Sequence, residues 1–93
     1  MLTKGSVVIS LAGRDKGYLL AVLSSTQKAV TLADGKERPL NKPKRKNIRH
    51  IKETSFTLCE DEMMSDRAIR KALRRISTEL SGNNQEDLCL NRT

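Results

Sequence analysis

Between residues 6 and 33 the chain alternates apolar runs with short polar breaks, and this spacing predicts three β-strands. Residues 6–12 read Ser-Val-Val-Ile-Ser-Leu-Ala, which puts Val7, Ile9 and Leu11 on one face and Val8, Ser10 and Ala12 on the other. A polar loop bracketed by glycines follows, Gly13-Arg14-Asp15-Lys16-Gly17. Residues 18–23 are apolar enough for a buried strand, Ser24-Ser25-Thr26-Gln27 reads as a turn, and residues 29–33 form a third strand. Asp34-Gly35 is a hairpin signal, because a tight primed turn requires positive φ and these residues tolerate it. Arg38-Pro39-Leu40 then reads as a short strand, confined by Pro39 to an edge or a strand end. Residues 41–47, with Pro43 and a Lys/Arg run, read as a loop, and residues 48–51 as a last short strand. Short strands joined by tight turns predict a mainly β protein, with a small barrel over residues 1–60.

The period changes in the C-terminal part. Ile69, Ala72, Leu73, Ile76 and Leu80 fall within a narrow arc at 100° per residue, with Arg67, Lys71, Arg74 and Thr78 opposite. Ser65 suits the N-cap, Asp66 the positive N-terminal dipole and Gly82 the stop. The pattern predicts an amphipathic helix over about 66–81, within a segment 61–82 that docks on the barrel. Residues 83–93 are polar and read as a frayed tail.

Composition narrows the function. With 93 residues the chain is one domain. Tyr18 and Phe56 are its only aromatics, too few for a base-stacking platform. His50 is the only histidine, which leaves no multi-histidine metal site and argues against a His-based triad. No paired carboxylates or nucleophile–base set stands out, so no enzyme activity, catalytic residue, metal or cofactor is expected. Cys59 and Cys89 are far apart, without a CxxC neighbour, and read as inert thiols of a reducing compartment. The opening residues carry neither a signal-peptide pattern nor the ~20 apolar residues of a spanning helix, so the expectation is a cytoplasmic monomer that binds no membrane.

The net charge of +7 is local. Residues 36–52 hold eight basic residues and one acid, Glu37, so this segment alone accounts for the excess. A solvated face usually mixes signs; this one does not, and a polyanion is the expected partner. The chemistry is phosphate neutralisation with release of condensed counterions. Lys42, Lys44, Arg45, Lys46 and Arg49 are the candidates, with Arg45 and Arg49 able to grip phosphate through paired hydrogen bonds. The rival assignment is a flexible, solubilising loop. His50 reads either as an RNA contact or as a strand residue at a barrel edge. In the helix, Arg67/Lys71, Arg70/Arg74 and Lys71/Arg75 are like-charge pairs four apart, each unfavourable by about 0.2–0.5 kcal/mol. Either RNA phosphates or the acid run Glu60-Asp61-Glu62 compensates them; the acid run is the simpler source, which makes the helix a secondary surface.

The strand, Gly-Arg-Asp-Lys-Gly loop and apolar strand across residues 5–23 resemble the KOW motif of ribosomal proteins and transcription elongation factors, with Gly17 where the motif's tight loop needs it. Ala33-Asp34-Gly35-Lys36-Glu37-Arg38-Pro39-Leu40 and Pro43-Lys44-Arg45-Lys46-Asn47-Ile48-Arg49-His50-Ile51 resemble the e-type large-subunit ribosomal protein family numbered fourteen. The similarity is greater to its bacterial relatives, described as KOW-domain RNA-binding proteins. Ser65-Asp66 with Ile69 and Ala72-Leu73 resembles the C-terminal helix of archaeal members. The resemblance spans about residues 4–80. It implies an SH3-like barrel with a C-terminal helix, binding to structured RNA of the large ribosomal subunit, and contacts from Arg14 and Lys16. Without the resemblance, Arg14-Asp15-Lys16 reads equally well as a solvated hairpin tip with Asp15 serving turn chemistry. The alternative function is an SH3-like protein-interaction module that contacts the transcription or translation machinery.

Overall fold

Two apolar clusters sit back to back on one antiparallel sheet. Its strands are β1 (Ser6–Ser10), β2 (Leu19–Ser25), β3 (Ala29–Ala33), β4 (Lys44–Asn47) and β5 (Ile51–Thr57). They lie in the order β4-β3-β2-β1-β5. A single helix, α1 (Asp66–Asn84), follows. This computed structural model describes residues 2–84, with side chains through Leu80. The architecture is the mainly β, barrel-like domain followed by a helix that the pattern predicts. Residues 85–93 of the expected tail, Cys89 among them, lie outside the described residues.

The adjacent apolar pairs in β1 and β2 explain the two clusters. Successive side chains alternate faces, so Val7 and Val8 enter different cores, as do Ala21 and its neighbours Leu20 and Val22. Val8, Leu20, Val22, Val30 and Leu32, with Leu2, fill the barrel side. Val7, Ala21 and Ala33 face α1 and pack with Ile69, Ala72, Leu73 and Ile76. The predicted helical stripe is therefore the docking face.

Ser65 caps α1 as expected: its Oγ accepts from the Ala68 amide at 3.1 Å. Asp66 has a second task, accepting from the Leu40 amide at 2.7 Å, which ties the β3–β4 loop to the helix start. The helix continues through Gly82, past the expected stop. A helical glycine costs only about 1 kcal/mol relative to alanine, so it does not force a stop.

The largest departure from the expected elements lies in the basic segment. Residues 44–47, expected as loop, form strand β4, paired with β3 in the register Val30↔Lys46, Thr31↔Arg45 and Leu32↔Lys44. Residues 38–40, expected as a strand, are loop. Asp34 is the reason: its Oδ1 accepts from the amides of Lys36 and Arg38, both at 2.8 Å. The Asp34 amide donates to the Arg38 carbonyl at 3.0 Å, closing the loop on itself. Arg38 then has no free groups for a ladder, and Pro39 has no N–H. Gly35 does adopt positive φ, +77°, but in this wide loop rather than in a tight hairpin turn. A Cβ there would collide with the Asp66 carbonyl oxygen, so glycine allows the loop to lie against α1.

Smaller differences follow from side-chain hydrogen bonds. β1 ends at Ser10, so Ala12 and the exposed Leu11 belong to the loop. β2 runs on through Ser24 and Ser25 past a bulge, and the turn is set by Thr26, whose Oγ1 accepts from the Lys28 and Ala29 amides. Residues 48–50 form a 3-10 turn capped by Asn47, whose Oδ1 accepts from the Arg49 amide at 2.8 Å. Of the expected strand 48–51 only Ile51 is in β5, and residues 52–57, which the pattern does not mark, make up the rest of it.

Candidate nucleic-acid interface

The loop between β1 and β2 is short, and four backbone bonds close it. Ser10 donates to the Tyr18 carbonyl, Gly17 to Ser10, Lys16 to Gly13, and Tyr18 to Asp15, at 2.7–3.2 Å. Gly17 takes φ +88°, a conformation that suits glycine. Arg14 and Lys16 stand exposed at the tip.

Asp15 turns inward, where Lys46 Nζ reaches it from β4 at 3.2 Å and also donates to the Ala12 carbonyl at 3.0 Å. The two side chains are only 13% and 9% exposed. The buried Ser10 hydroxyl lies 2.8 Å from Asp15 Oδ1 and 2.9 Å from the Ala12 carbonyl, and its one proton can serve either acceptor. Burial pushes the Asp15 carboxyl up, but the bond from Ser10 and the bond and charge of Lys46 outweigh it, holding the group below its ordinary value. Lys46 lies opposite Val30, so its stem covers the barrel core while its ammonium holds the loop. Of the eight sequence candidates, Lys46 is the one whose charge is engaged inside the fold.

The others are distributed by the period of β4. Lys44, opposite the buried Leu32, is half-buried on the same face as Lys46. Arg45, one position on, projects from the opposite face and is exposed. Lys42 is exposed in the turn before β4, where its amide donates to the Pro39 carbonyl at 2.9 Å. Arg49 and His50 are exposed in the 3-10 turn, and the His50 carbonyl accepts from Leu11 at 2.8 Å, linking this turn to the start of the β1–β2 loop.

The topology also recruits cations that local charge did not single out. The Ile48 amide donates to the Lys28 carbonyl at 3.0 Å, so Lys28 and Arg49 line one small cavity. Lys28 is a lone cation in a turn, and only the β3–β4 pairing reveals it. Arg14 and Arg38 likewise line one cavity, of about 140 Å³.

On α1 two of the arginines have internal partners. Arg75 pairs with Glu62 at 3.0 Å, so the acid run compensates the cluster at this point. The Cys59 amide bond, with Arg75 nearby, lowers the Glu62 carboxyl despite partial burial. Arg70 donates to the Gly35 carbonyl. Among the described residues these two ion pairs, Lys46–Asp15 and Arg75–Glu62, are all that form. Lys42, Lys44, Arg45 and Arg49 therefore carry uncompensated charge along one sheet edge and its flanking turns. No helix among the described residues is long and apolar enough to cross a membrane. Neither protein-family models nor curated proteins give a match to the chain.

Proposed function

We propose that this protein binds structured RNA, with ribosomal RNA of the large subunit as the target class, through the β4 edge and the turns beside it. The observation that carries this reading is the uncompensated row Lys42, Lys44, Arg45 and Arg49 on a rigid strand and turn. A flexible solubilising loop would not order these residues, whereas backbone pairing to β3 holds Lys44 and Arg45, and bonds to the Pro39 carbonyl and to Asn47 Oδ1 hold the amides of Lys42 and Arg49. Lys44 offers a point charge, and Arg45 and Arg49 offer planar forks suited to phosphate. Arg14, Lys16 and His50 extend the row across the β1–β2 loop, which Lys46 holds in place. Recognition is by backbone and shape, and the protein acts as a binding component of a cytoplasmic ribonucleoprotein. The KOW resemblance of residues 5–23 and 33–51 supports the same reading.

The test is a salt titration with a blunt RNA duplex of about two helical turns. Four phosphate contacts give a log–log slope of roughly −2.8 to −3.6. Arg45→Glu with Arg49→Glu, both on exposed side chains, should reduce affinity at least about tenfold, at ~1 kcal/mol or more per inverted contact. In lysate gradients the tagged protein should co-migrate with large ribosomal subunits. A flat salt response together with migration with RNA polymerase would replace this reading by the protein-interaction one.

A further inference from the structure

Of the two six-membered aromatic rings in the chain, Phe56 and Tyr18, one is exposed. Phe56 packs against the helix-side core, whereas Tyr18 is 61% exposed. Its backbone is held on both sides, the amide by the Asp15 carbonyl at 2.9 Å and the carbonyl by the Ser10 amide at 3.0 Å. Asp15 is itself clamped by Lys46. The ring is thus presented by a rigid loop, and no ordering of that loop is needed for it to act.

Tyr18 stands at the wall of a cleft of about 370 Å³ between the β1–β2 loop, the β3–β4 loop and α1. The apolar lining comes from Leu19 and Leu73, and the exposed cations from Lys36 and Arg74. A Cβ added at neighbouring Gly17 would meet nothing within 4 Å, so the space beside the ring is open. On the other side of Tyr18 lies a cavity that sets Arg14 and Arg38 beside Asp15, Asp34 and Glu37. Of the acids here, Asp15 is engaged by Lys46 and Asp34 by the amides of Lys36 and Arg38; exposed Glu37 lines both cavities, so a bound phosphate must lie on the Lys36 and Arg74 side of the cleft, away from it. No ion pair among the described residues engages Arg14, Lys36, Arg38 or Arg74.

An exposed flat ring, an apolar floor and unpaired cations at the rim together match a ligand with one π-face and one negative charge. We propose that this cleft receives a single unpaired nucleotide of the bound RNA, its base stacked on Tyr18 and its phosphate against Arg74 and Lys36. This rests on the RNA-binding reading and adds a second contact, on the helix side, that distinguishes bulged or looped RNA from a plain duplex. One ring is not a platform for a continuous single strand, so the cleft takes one splayed base while the β4 edge tracks the backbone.

The experiment compares two probes, the blunt RNA duplex and the same duplex with one bulged nucleotide, against the wild type, Tyr18→Ala and Tyr18→Phe. Circular dichroism checks the fold of each. The wild type should prefer the bulged duplex by roughly 5- to 150-fold, the range of one base–aromatic stack. Tyr18→Ala should bring the two probes within about twofold while keeping the affinity for the blunt duplex; Tyr18→Phe should retain the preference. Tyr18 is the only tyrosine and there is no tryptophan, so intrinsic emission reports on this ring alone. It should be quenched more by the bulged duplex than by the blunt one. Equal affinity of the wild type for both probes, an equal loss on both in Tyr18→Ala, or loss of the preference in Tyr18→Phe overturns the cleft while leaving the RNA reading intact. Failure of the wild type to bind either probe overturns both.

Discussion

Replacing Lys46 by methionine removes the ammonium but keeps most of the stem that covers Val30, so it isolates the charge. Asp15 would keep the Ser10 hydroxyl as a partner, but its Oδ2 is already buried without one. Breaking a fully buried pair from one side costs about 3–5 kcal/mol, because an uncompensated charge remains. The 9% and 13% exposure here admits some solvent, so about 2–4 kcal/mol is expected. With a urea m-value of ~1 kcal/mol/M for a small domain, the midpoint should fall by roughly 2–4 M. Arg45→Met, one residue away on the exposed face, should change stability by less than ~0.5 kcal/mol. The pH dependence gives a second check. The Asp15 carboxyl lies below its ordinary value in the folded protein, so its contribution is present above the ordinary carboxylate range. It is lost as pH falls through the folded value. The gap between wild type and Lys46→Met should therefore be widest at neutral pH and narrow on acidification, as protonation removes the buried charge. Urea titrations followed by circular dichroism at several pH values measure both. Equal costs for Lys46→Met and Arg45→Met, or a gap that does not narrow in acid, would show that the pair does not hold the β1–β2 loop.

Leu73→Asp should cost about 2–4 kcal/mol, since it places a charge in the helix-side core, whereas Arg74→Ala on the exposed face should lie within ~0.5 kcal/mol of wild type in thermal melts. The reverse order would mean that the helical phase is misread. Gly17→Ala should cost only ~1–2 kcal/mol, the strain of positive φ with open space around it. Gly35→Ala should cost about 3 kcal/mol or more, because the Asp66 carbonyl must also move. Equal losses in urea unfolding would show that the β3–β4 loop does not press on α1.

Periodicity alone determined the first three strands and the helix. The adjacent apolar pairs in residues 6–10 and 19–23 demand burial on both faces, and the stripe from Ile69 to Leu80 demands a partner, so a sheet with a docked helix follows from local pattern. The Ser65 cap and the positive φ of Gly17 and Gly35 were equally local, since cap and turn chemistry act within a few residues. Strand β4 was not legible, because Lys-Arg-Lys-Asn has no apolar alternation; its strand character comes from backbone pairing to β3, a partner about 15 residues away. That pairing then decided the site. It turned Lys46 inward to Asp15, 31 residues distant, and set Arg45 on the opposite face. Charge counting treats five neighbouring cations as equivalent, whereas a strand sends alternate side chains to opposite faces, and only the fold separates Lys46, which holds the β1–β2 loop, from those without an acidic partner.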